Sequence, residues 1–269
     1  MRNLAKFIFF LIKSLFEKKH RFILFTPDLT IFKYNKVFLF DKKKGKFISQ
    51  IIRDKYDYIT IVENYFYQCY DLENFDIYKI IKKDIETKNS LIVDCGSNIG
   101  CSTNFFLETY GNSKIISIEP DKENFQVLKR NVNSSRVQLI NNAVSNEIIH
   151  FKVSSNTLHA DDNRGKNIVE VNDTSFPKSI TINDILSDKL NVNLYPLLIK
   201  IDIEGFENNL FEKNVEWMDK FKILIVELHD WMLPKKSISK NYFNAICRSM
   251  EKNDRDILIK GENIISIKI

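Results

Sequence analysis

The stretch that decides the fold reads Leu91-Ile92-Val93-Asp94-Cys95-Gly96-Ser97-Asn98-Ile99-Gly100. A short apolar run ends in an acid and turns through two glycines, which predicts a buried parallel strand leading into a helix. Gly96 can adopt backbone angles that are closed to other residues, and Gly100 lets the next helix pack close to the sheet. In open α/β sheets, a nucleotide-type ligand binds at this carboxyl edge of the strands.

The details of this turn indicate which nucleotide is bound. The dinucleotide fingerprint G-x-G-x-x-G is not matched, because the glycine after Gly96 comes four residues later. Asp94 at the strand end would repel a pyrophosphate but suits a cationic ligand. Lys114–Ile118 predicts the next strand, and Glu119 at its tip can accept hydrogen bonds from both ribose hydroxyls. Two such acids without a diphosphate loop point to S-adenosylmethionine, whereas the glycine loop alone would also fit an ordinary tight turn.

Several later segments resemble one enzyme family. Lys200-Ile201-Asp202-Ile203-Glu204-Gly205 and Ile225-Val226-Glu227-Leu228-His229 resemble the late motifs of the FkbM family of S-adenosylmethionine-dependent methyltransferases. The loop from Asp94 to Gly100 is similar to the first motif of that family, including Asn98 where many other methyltransferases have glycine. Asn142-Ala143-Val144-Ser145 and Thr181–Leu186 resemble its connecting motifs. The resemblance covers roughly residues 90–230.

This resemblance implies a fold, an activity and a set of binding residues. The fold is a Rossmann-like class I methyltransferase fold of the α/β class, and the activity is methyl transfer, usually to a hydroxyl oxygen. We therefore expect an O-methyltransferase acting on a sugar, glycan or glycolipid precursor. A soluble natural product is the alternative acceptor, and a catalytically silent binding module of the same fold is the alternative function. The expected cofactor-binding residues are Asp94, Gly96, Asn98, Gly100, Glu119, Asn142 and Ala143.

Candidates for the chemical step lie at the carboxyl ends of the fourth and fifth core strands. The protein has to hold an acceptor oxygen in line with the activated methyl and remove its proton. Asp202 is expected beside the methyl, Glu204 binds substrate or braces its loop, and His229 is a candidate base with an ordinary pKa of about 6.5. Lys200 forms either an ion pair beneath the site or a substrate contact. No metal site is predicted, although Asp202, Glu204 and a further acid could hold magnesium or calcium.

The charge of the chain is unevenly distributed. The formal net charge is +5, but residues 1–57 hold 14 Lys and Arg against 5 Asp and Glu, whereas the remainder carries more acids than bases. A nucleic-acid enzyme would show a basic face around its site, so no nucleic-acid partner is expected. Four cysteines without C-x-x-C spacing fit buried thiols in a reducing compartment, and the expected location is cytoplasmic.

The first 21 residues predict a basic amphipathic helix. Leu4, Phe7, Ile8, Leu11 and Leu15 recur at helical spacing. The cations beside this apolar arc are Arg2, Lys6, Lys13, Lys18, Lys19 and Arg21. The longest apolar run is six residues, far short of the ~20 that a spanning helix needs. The segment therefore predicts a peripheral contact with the inner face of a membrane, or else packing on its own domain or a partner.

The chain is predicted to have three parts. Residues 1–21 form the amphipathic helix, residues 22–88 form an extension with a hairpin and helices, and residues 89–269 form the methyltransferase domain. Core strands are predicted near 91–94, 114–118, 136–141, 197–202 and 223–228, with helices near 99–109, 121–132, 206–213 and 237–252. An antiparallel β-hairpin is expected near 257–267, and residues 153–178 are expected to be a long irregular loop. The oligomeric state is left open.

Overall fold

A computed structural model describes residues 8, 11, 12, 15, 16, 20–25, 35–155, 164–231 and 235–269. The strands in these ranges are β1 Phe22–Leu24, β2 Lys36–Asp41, β3 Lys46–Ile51, β4 Ser90–Cys95, β5 Ser113–Ile118, β6 Val137–Ile140, β7 Phe151–Ser155, β8 Lys166–Glu170, β9 Tyr195–Ile201, β10 Ile223–Glu227, β11 Arg255–Lys260 and β12 Asn263–Lys268. The α-helices are α1 Lys55–Ile61, α2 Ile77–Thr87, α3 Cys101–Thr109, α4 Lys122–Asn131, α5 Ile182–Ser187, α6 Glu207–Leu210 and α7 Ser239–Met250, with a π-helix at Val62–Phe66 and a 3-10 helix at Glu216–Asp219.

The centre of the molecule is a seven-stranded sheet in the order β11-β12-β10-β9-β4-β5-β6. The strands β6, β5, β4, β9 and β10 run parallel, and β12 enters antiparallel between β10 and β11. The strand order reverses between β4 and β9, and a ligand binds at such a switch point in open α/β sheets. The prediction of a mostly parallel α/β sheet closed by an antiparallel hairpin is confirmed.

Both faces of this sheet are buried. Along β4, Ile92 packs into one apolar cluster, while Leu91 and Val93 pack into a second cluster on the opposite face. The first cluster takes Phe105 from α3, and the second takes Tyr242 from α7. This arrangement explains why β4 reads as a continuous apolar run, since a strand covered by helices on both faces has no solvent-facing side.

The region before β4 packs directly on the core sheet. Strands β1, β2 and β3 form an antiparallel sheet, and the ring of Phe22 lies 6.0 Å from that of Phe105 on α3. Arg21 joins the two parts, because its guanidinium donates to both carboxylate oxygens of the fully buried Asp41 and to Thr109 Oγ1. The extension therefore shares one hydrophobic core with the methyltransferase sheet. The hairpin of β2 and β3 follows the predicted pattern, while β1 had no signal in the sequence.

Only part of the N-terminal segment lies within the described residues. Residues 8, 11, 12, 15 and 16 are helical, and Phe16 is 81% exposed. Arg21 corrects the sequence interpretation, since its side chain is 8% exposed and paired with Asp41 and so does not belong to a membrane-facing basic surface. Among the described residues, no helix is long and apolar enough to cross a membrane.

The segment 153–178 differs from its prediction as an irregular loop. Strands β7 and β8 pair antiparallel, with Phe151 opposite Glu170 and Ser155 opposite Lys166. Lys166 on β8 lies 2.9 Å from Asp121 and 3.2 Å from Glu123, which ties this hairpin to the start of α4. Residues 156–163 of the predicted loop lie outside the described residues. The hairpin was missed because β7 and β8 have only five residues each, so the alternation of Phe151 and Val153 with polar residues is too short to predict a strand.

The cysteines are all free, as expected, but they are not all buried. Cys95 and Cys101 are buried, and burial raises the pKa of both thiols. Cys69 is half-buried, and Cys247 on α7 is exposed, which corrects the expectation of four buried thiols.

Candidate active site

The glycine turn after β4 lies against the end of β9. Gly96 has φ +79°, and a Cβ at this position would lie 1.7 Å from the carbonyl oxygen of Asp202. Gly100 has φ +91°, and a Cβ there would meet Leu128 and Val132 at 2.7 and 2.8 Å. Both positions therefore need glycine, the first to fit beside the β9 backbone and the second to pack α3 against α4.

The acid of this motif lies beneath the turn. Asp94 is fully buried, and its Oδ2 accepts hydrogen bonds from Ser102 and Thr103 at 2.7 Å. Its Oδ1 lies 3.6 Å from Nζ of Lys200, which donates to the carbonyl oxygen of Gly96 at 2.8 Å. Asp94 lines neither of the cavities described below. Its carboxylate thus supports the loop from below, and the ligand contact expected from the sequence stays a prediction.

Lys200 forms an ion pair beneath the site, which is one of the two roles expected from the sequence. Its Nζ lies 3.1 Å from Oδ2 of Asp202 as well as close to Asp94. Burial alone would lower the pKa of Lys200, but these two carboxylates hold it above its ordinary value. The ammonium also borders the larger cavity, so it links the turn, the end of β9 and the cavity floor.

Glu119, at the tip of β5, borders a small cavity of about 50 Å³. Its Oε2 accepts from the backbone N–H of Asn98 at 2.8 Å, and its Oε1 accepts from the N–H of Asp121 at 2.9 Å. Burial raises the pKa of Glu119 to about 7 despite these hydrogen bonds. Asn142 and Ala143 line the same cavity, so the structure brings these three predicted cofactor residues together.

A larger cavity of about 480 Å³ lies beside the first one. The two cavities share the wall residues Gly96, Asn98, Arg164, Asp202 and Glu204. The larger one is enclosed by three regions that are distant in sequence. The α1–π-helix region supplies Asn64 and Tyr67, the segment after β10 supplies Trp231, and the turn between β11 and β12 supplies Glu262.

A histidine surrounded by carboxylates forms one side of the larger cavity. His229 is 1% exposed, and its Nδ1 donates to Oε1 of the buried Glu207 at 2.8 Å. Its Nε2 lies 3.6 Å from Asp202 Oδ1, 3.6 Å from Glu227 Oε1 and 3.7 Å from Glu204 Oε2. The predicted catalytic residues Asp202, Glu204 and His229 are therefore assembled within one cluster, together with Glu227.

The electrostatics of this cluster change the expected role of His229. Burial alone would lower its pKa, but Glu207, Asp202 and Glu204 raise it to about 10. The imidazole therefore holds its proton more tightly than an ordinary histidine, so the expectation of a base with an ordinary pKa of about 6.5 is corrected. Burial and Asp202 raise the pKa of Glu204 to about 8 and that of Glu227 to about 9. Asp202 is different, because Lys200 and His229 lower its pKa even though burial opposes this.

Some residues of the site were missed from the sequence. Glu207 orients His229 from the first turn of α6, but its only sequence signal is an acid at the first position of a four-residue helix that is otherwise two asparagines and a leucine. Asn64 lies on a π-helix, a conformation that often marks functional sites, yet nothing in the local sequence predicts it. Trp231 comes two residues after His229, so its place near the tip of β10 could have been predicted from the sequence. Its side chain is 63% exposed.

Solved structures with a similar arrangement include several methyltransferases. One is a methyltransferase from Geobacter sulfurreducens, at 14% identity, TM-score 0.37, covering 71% of this chain and 75% of that one. Another is precorrin-6y C5,15-methyltransferase from Geobacter metallireducens GS-15, at 10% identity, TM-score 0.33, covering 72% and 87%. A third is M. jannaschii TYW2 in complex with AdoMet, at 13% identity, TM-score 0.29, covering 94% and 87%. At these TM-scores the likenesses carry no inference about this chain.

Sequence comparison gives a more decisive result. No curated protein matches the chain. The model of the methyltransferase FkbM domain, by contrast, matches residues 94–257, which run from the acid of β4 to the middle of β11. This range contains the glycine turn, the tip of β5 and the Asp202–His229 cluster, and it exceeds half of the sequence. The chain therefore belongs to the FkbM family of S-adenosylmethionine-dependent methyltransferases.

Proposed function

We propose that this enzyme transfers the methyl group to a hydroxyl oxygen of a sugar, glycan or glycolipid precursor. The observation that carries the proposal is the pair of adjoining cavities, which share Asp202 and Glu204 in their common wall. A cofactor with its ribose at Glu119 would present its methyl group near this junction. An acceptor in the larger cavity would then meet the methyl beside the carboxylate cluster.

The chemistry of such a transfer matches the charges at the junction. The methyl carbon leaves the sulfonium, the C–S electron pair stays on the sulfur, and a new C–O bond forms to the acceptor. The hydroxyl proton has to leave at the same time, and a carboxylate within reach is a suitable acceptor. Asp202 fits this role, since Lys200 keeps it in the ionised form.

The wall of the larger cavity favours a polar acceptor with an apolar face. Trp231 presents an exposed ring at its rim, and Tyr67, 60% exposed, presents another. Asn64, Asn263 and the acids add hydrogen-bonding groups to the same wall. Aromatic rings combined with amide and carboxylate groups suit a pyranose, which has both C–H faces and hydroxyl edges. A flat natural product would need fewer polar groups.

A membrane-held acceptor is supported by the N-terminal segment. The described helical residues Ile8, Ile12, Leu15 and Phe16 are 46%, 51%, 45% and 81% exposed. The sequence places Arg2, Lys6 and Lys13 among these apolar residues, a combination that suits an anionic lipid surface. We propose that this segment holds the enzyme at the inner face of the membrane.

The decisive experiment combines a binding and a labelling assay. Calorimetry with S-adenosylhomocysteine is expected to show one site per chain. Labelled S-adenosylmethionine and fractionated cell extract, followed by mass spectrometry, are expected to give an O-methylated sugar or glycolipid. Binding without any labelled product would support the catalytically silent module, and label found only on protein or nucleic acid would refute the sugar acceptor.

The membrane proposal has a separate test. Removing residues 1–16 is expected to abolish sedimentation with anionic liposomes at low salt and to leave turnover on a soluble acceptor unchanged. The shorter deletion is preferred to 1–21 because Arg21 belongs to the folded core. Equal sedimentation of the full chain and the deletion would contradict the proposal.

A further inference from the structure

The imidazole of His229 is held in an orientation that general base catalysis does not explain. It is almost completely buried, and its Nδ1 is fixed by the carboxylate of Glu207, itself fully buried. Among the residues that the structure describes, its Nε2 makes no hydrogen bond, yet three carboxylate oxygens lie 3.6–3.7 Å away. One ring nitrogen is therefore anchored, and the other is directed into a ring of oxygen atoms.

The spacing of these atoms fits an ion. One ligand atom each from Asp202, Glu227 and His229 can be chosen so that all three lie within 4.8 Å of one another. An ion about 2.1 Å from each of two ligands separates them by roughly 3–4 Å, depending on the angle. The 3.6 Å separations between Nε2 and the carboxylate oxygens fall within this range. They are too long for hydrogen bonds, which need about 2.7–3.2 Å.

The surrounding charges also favour a cation. Lys200 lies between Asp94 and Asp202, and Arg164 lies 3.5 Å from Glu63, so each of these two cations is shared among several carboxylates. Glu227 also lies beside Glu262, a second acid of the cavity wall. Adjacent carboxylates repel each other in a cavity with limited water, and a divalent ion would relieve that repulsion.

We propose that Asp202, Glu227 and His229 bind a divalent first-row transition-metal ion at the wall of the acceptor cavity, and that the ion replaces the proton on Nε2 of His229, which is released to solvent. The donor set contains one imidazole nitrogen and two carboxylates, which favours Mn²⁺, Fe²⁺ or Zn²⁺ over the all-oxygen preference of Mg²⁺ and Ca²⁺. Glu207 is the positioning residue, since a carboxylate on the second ring nitrogen fixes the tautomer and orientation of a ligating histidine. Glu204 is outside this group of three, although its Oε2 lies only 3.7 Å from Nε2.

The position of this ion connects it with the proposed function. All three ligands line the larger cavity, so the ion has coordination positions open to an acceptor. When bound, it would supply Lewis acidity to an acceptor hydroxyl, lowering the pKa of that hydroxyl. This role rests on the proposed O-methyl transfer, whereas the binding site does not depend on it. Acceptors with two neighbouring oxygens, such as vicinal diols, are the expected class.

The test is a titration of the full-length, EDTA-treated protein with Mn²⁺, followed by electron paramagnetic resonance of the free ion. One ion per chain is expected, and competition with Zn²⁺ is expected to be at least about tenfold more effective than with Mg²⁺. Asp202→Asn, Glu227→Gln and His229→Gln are each expected to weaken Mn²⁺ binding at least about tenfold, and Glu207→Gln about 10- to 100-fold. Glu63→Gln is the matched control, an acid of the same wall outside the ligand set, and its Mn²⁺ affinity should not change.

Two further measurements distinguish failure of the metal site from failure of the proposed function. Calorimetry with S-adenosylhomocysteine on every variant establishes that the fold and the cofactor site are intact. A sample that binds S-adenosylhomocysteine but takes up no Mn²⁺ or Zn²⁺ below millimolar concentration, or ligand variants that bind like the wild type, would overturn the metal site. Turnover that is equal in EDTA and in Mn²⁺ would overturn its catalytic role. Tight Mn²⁺ binding without methyl transfer to any hydroxyl acceptor would instead count against the proposed function.

Discussion

The two halves of the candidate site are built in different ways. The half around Glu119 is centred on neighbouring segments of the chain, since the glycine turn and the tip of β5 lie within residues 94–119, and later segments from Asn142 to Glu204 complete its wall. The half around Trp231 is assembled from the extension before β4, the tips of β9 and β10, and the turn between β11 and β12. One half has a short motif at its centre, whereas the other has none and depends entirely on distant segments that pack together.

This difference predicts which half tolerates substitution better. The cofactor is the same in every methyltransferase of the family, and a compact motif with two obligatory glycines preserves its site. The acceptor half uses side chains on helices and turns. Such positions tolerate substitution more readily than Gly96, whose backbone packs tightly against that of Asp202. Substitutions in each half can show whether cofactor binding and acceptor binding are lost independently of each other.

The largest effect is expected from Gly96→Ala. The new methyl group would overlap the carbonyl oxygen of Asp202, and φ +79° is unfavourable for alanine. We expect loss of S-adenosylhomocysteine binding in calorimetry and destabilisation of about 3 kcal/mol or more in urea unfolding. Gly111→Ala is the control, because a Cβ there would have no heavy atom within 4 Å and its effect should be small. Retained binding in Gly96→Ala would show that the turn is not the cofactor site.

The next largest effect is expected from Arg21→Ala. This substitution leaves the carboxylate of Asp41 buried and without its bidentate partner, which typically destabilises a protein by about 3–5 kcal/mol. Lys79→Ala is the control, since its ion pair with Asp76 is exposed and its loss should not be measurable. Urea unfolding followed by circular dichroism measures both. A single cooperative transition at a lower midpoint is expected, whereas separate transitions would show that the extension folds independently of the core.

A roughly tenfold effect on the acceptor half alone is expected from Trp231→Ala. Removal of the exposed ring takes away a surface on which a sugar can stack. Trp231 does not line the smaller cavity, so the cofactor residues are unchanged. The KM for the sugar acceptor should rise about tenfold, corresponding to about 1.4 kcal/mol, with an unchanged Kd for S-adenosylhomocysteine. Trp231→Phe should restore most of the affinity. A change in both constants would mean that the two halves are not independent.

The smallest effect is a pH dependence confined to the cofactor half. The pKa of Glu119 is about 7, and its ionised form is the better acceptor for ribose hydroxyls. Affinity for S-adenosylhomocysteine should therefore increase as the pH rises through 7, by up to about tenfold between pH 6 and 8. Glu119→Gln should bind more weakly and show a flat profile over this range. A profile that falls with pH would contradict the assignment of Glu119.

More of the cofactor half than of the acceptor half could be predicted from the sequence. The strands β4, β5, β9 and β10 were predictable because buried parallel strands are apolar throughout and end in turn residues. The positions of Gly96 in the turn and of Glu119 at the tip of β5 were predictable because they depend on backbone position within a short segment. The contributions of Asn64, Glu262 and Trp231 depend on which surfaces meet after folding, and no local periodicity carries that information.

The chemistry of individual side chains was the least predictable part. An ordinary pKa for His229 was a reasonable assumption from the sequence, but the pKa in the fold depends on Glu207, Asp202 and Glu204 around it. Asp94 was assigned to the ligand by its place at the strand end, whereas its rotamer directs it under the turn to Ser102 and Thr103. Both differences arise because burial and neighbours, and not residue type, decide what a charged group does.

The antiparallel strand β12 has a consequence for synthesis of the protein on the ribosome. Residues Asn263–Lys268 are inserted between β10 and β11, and Asn263 lies opposite Glu227 in the register. Every residue that lines the smaller cavity lies between Gly96 and Glu204 and is therefore translated well before this strand. The acceptor wall, in contrast, cannot close until the strand has left the exit tunnel. A partly synthesised chain could therefore hold the methyl donor without being able to use it.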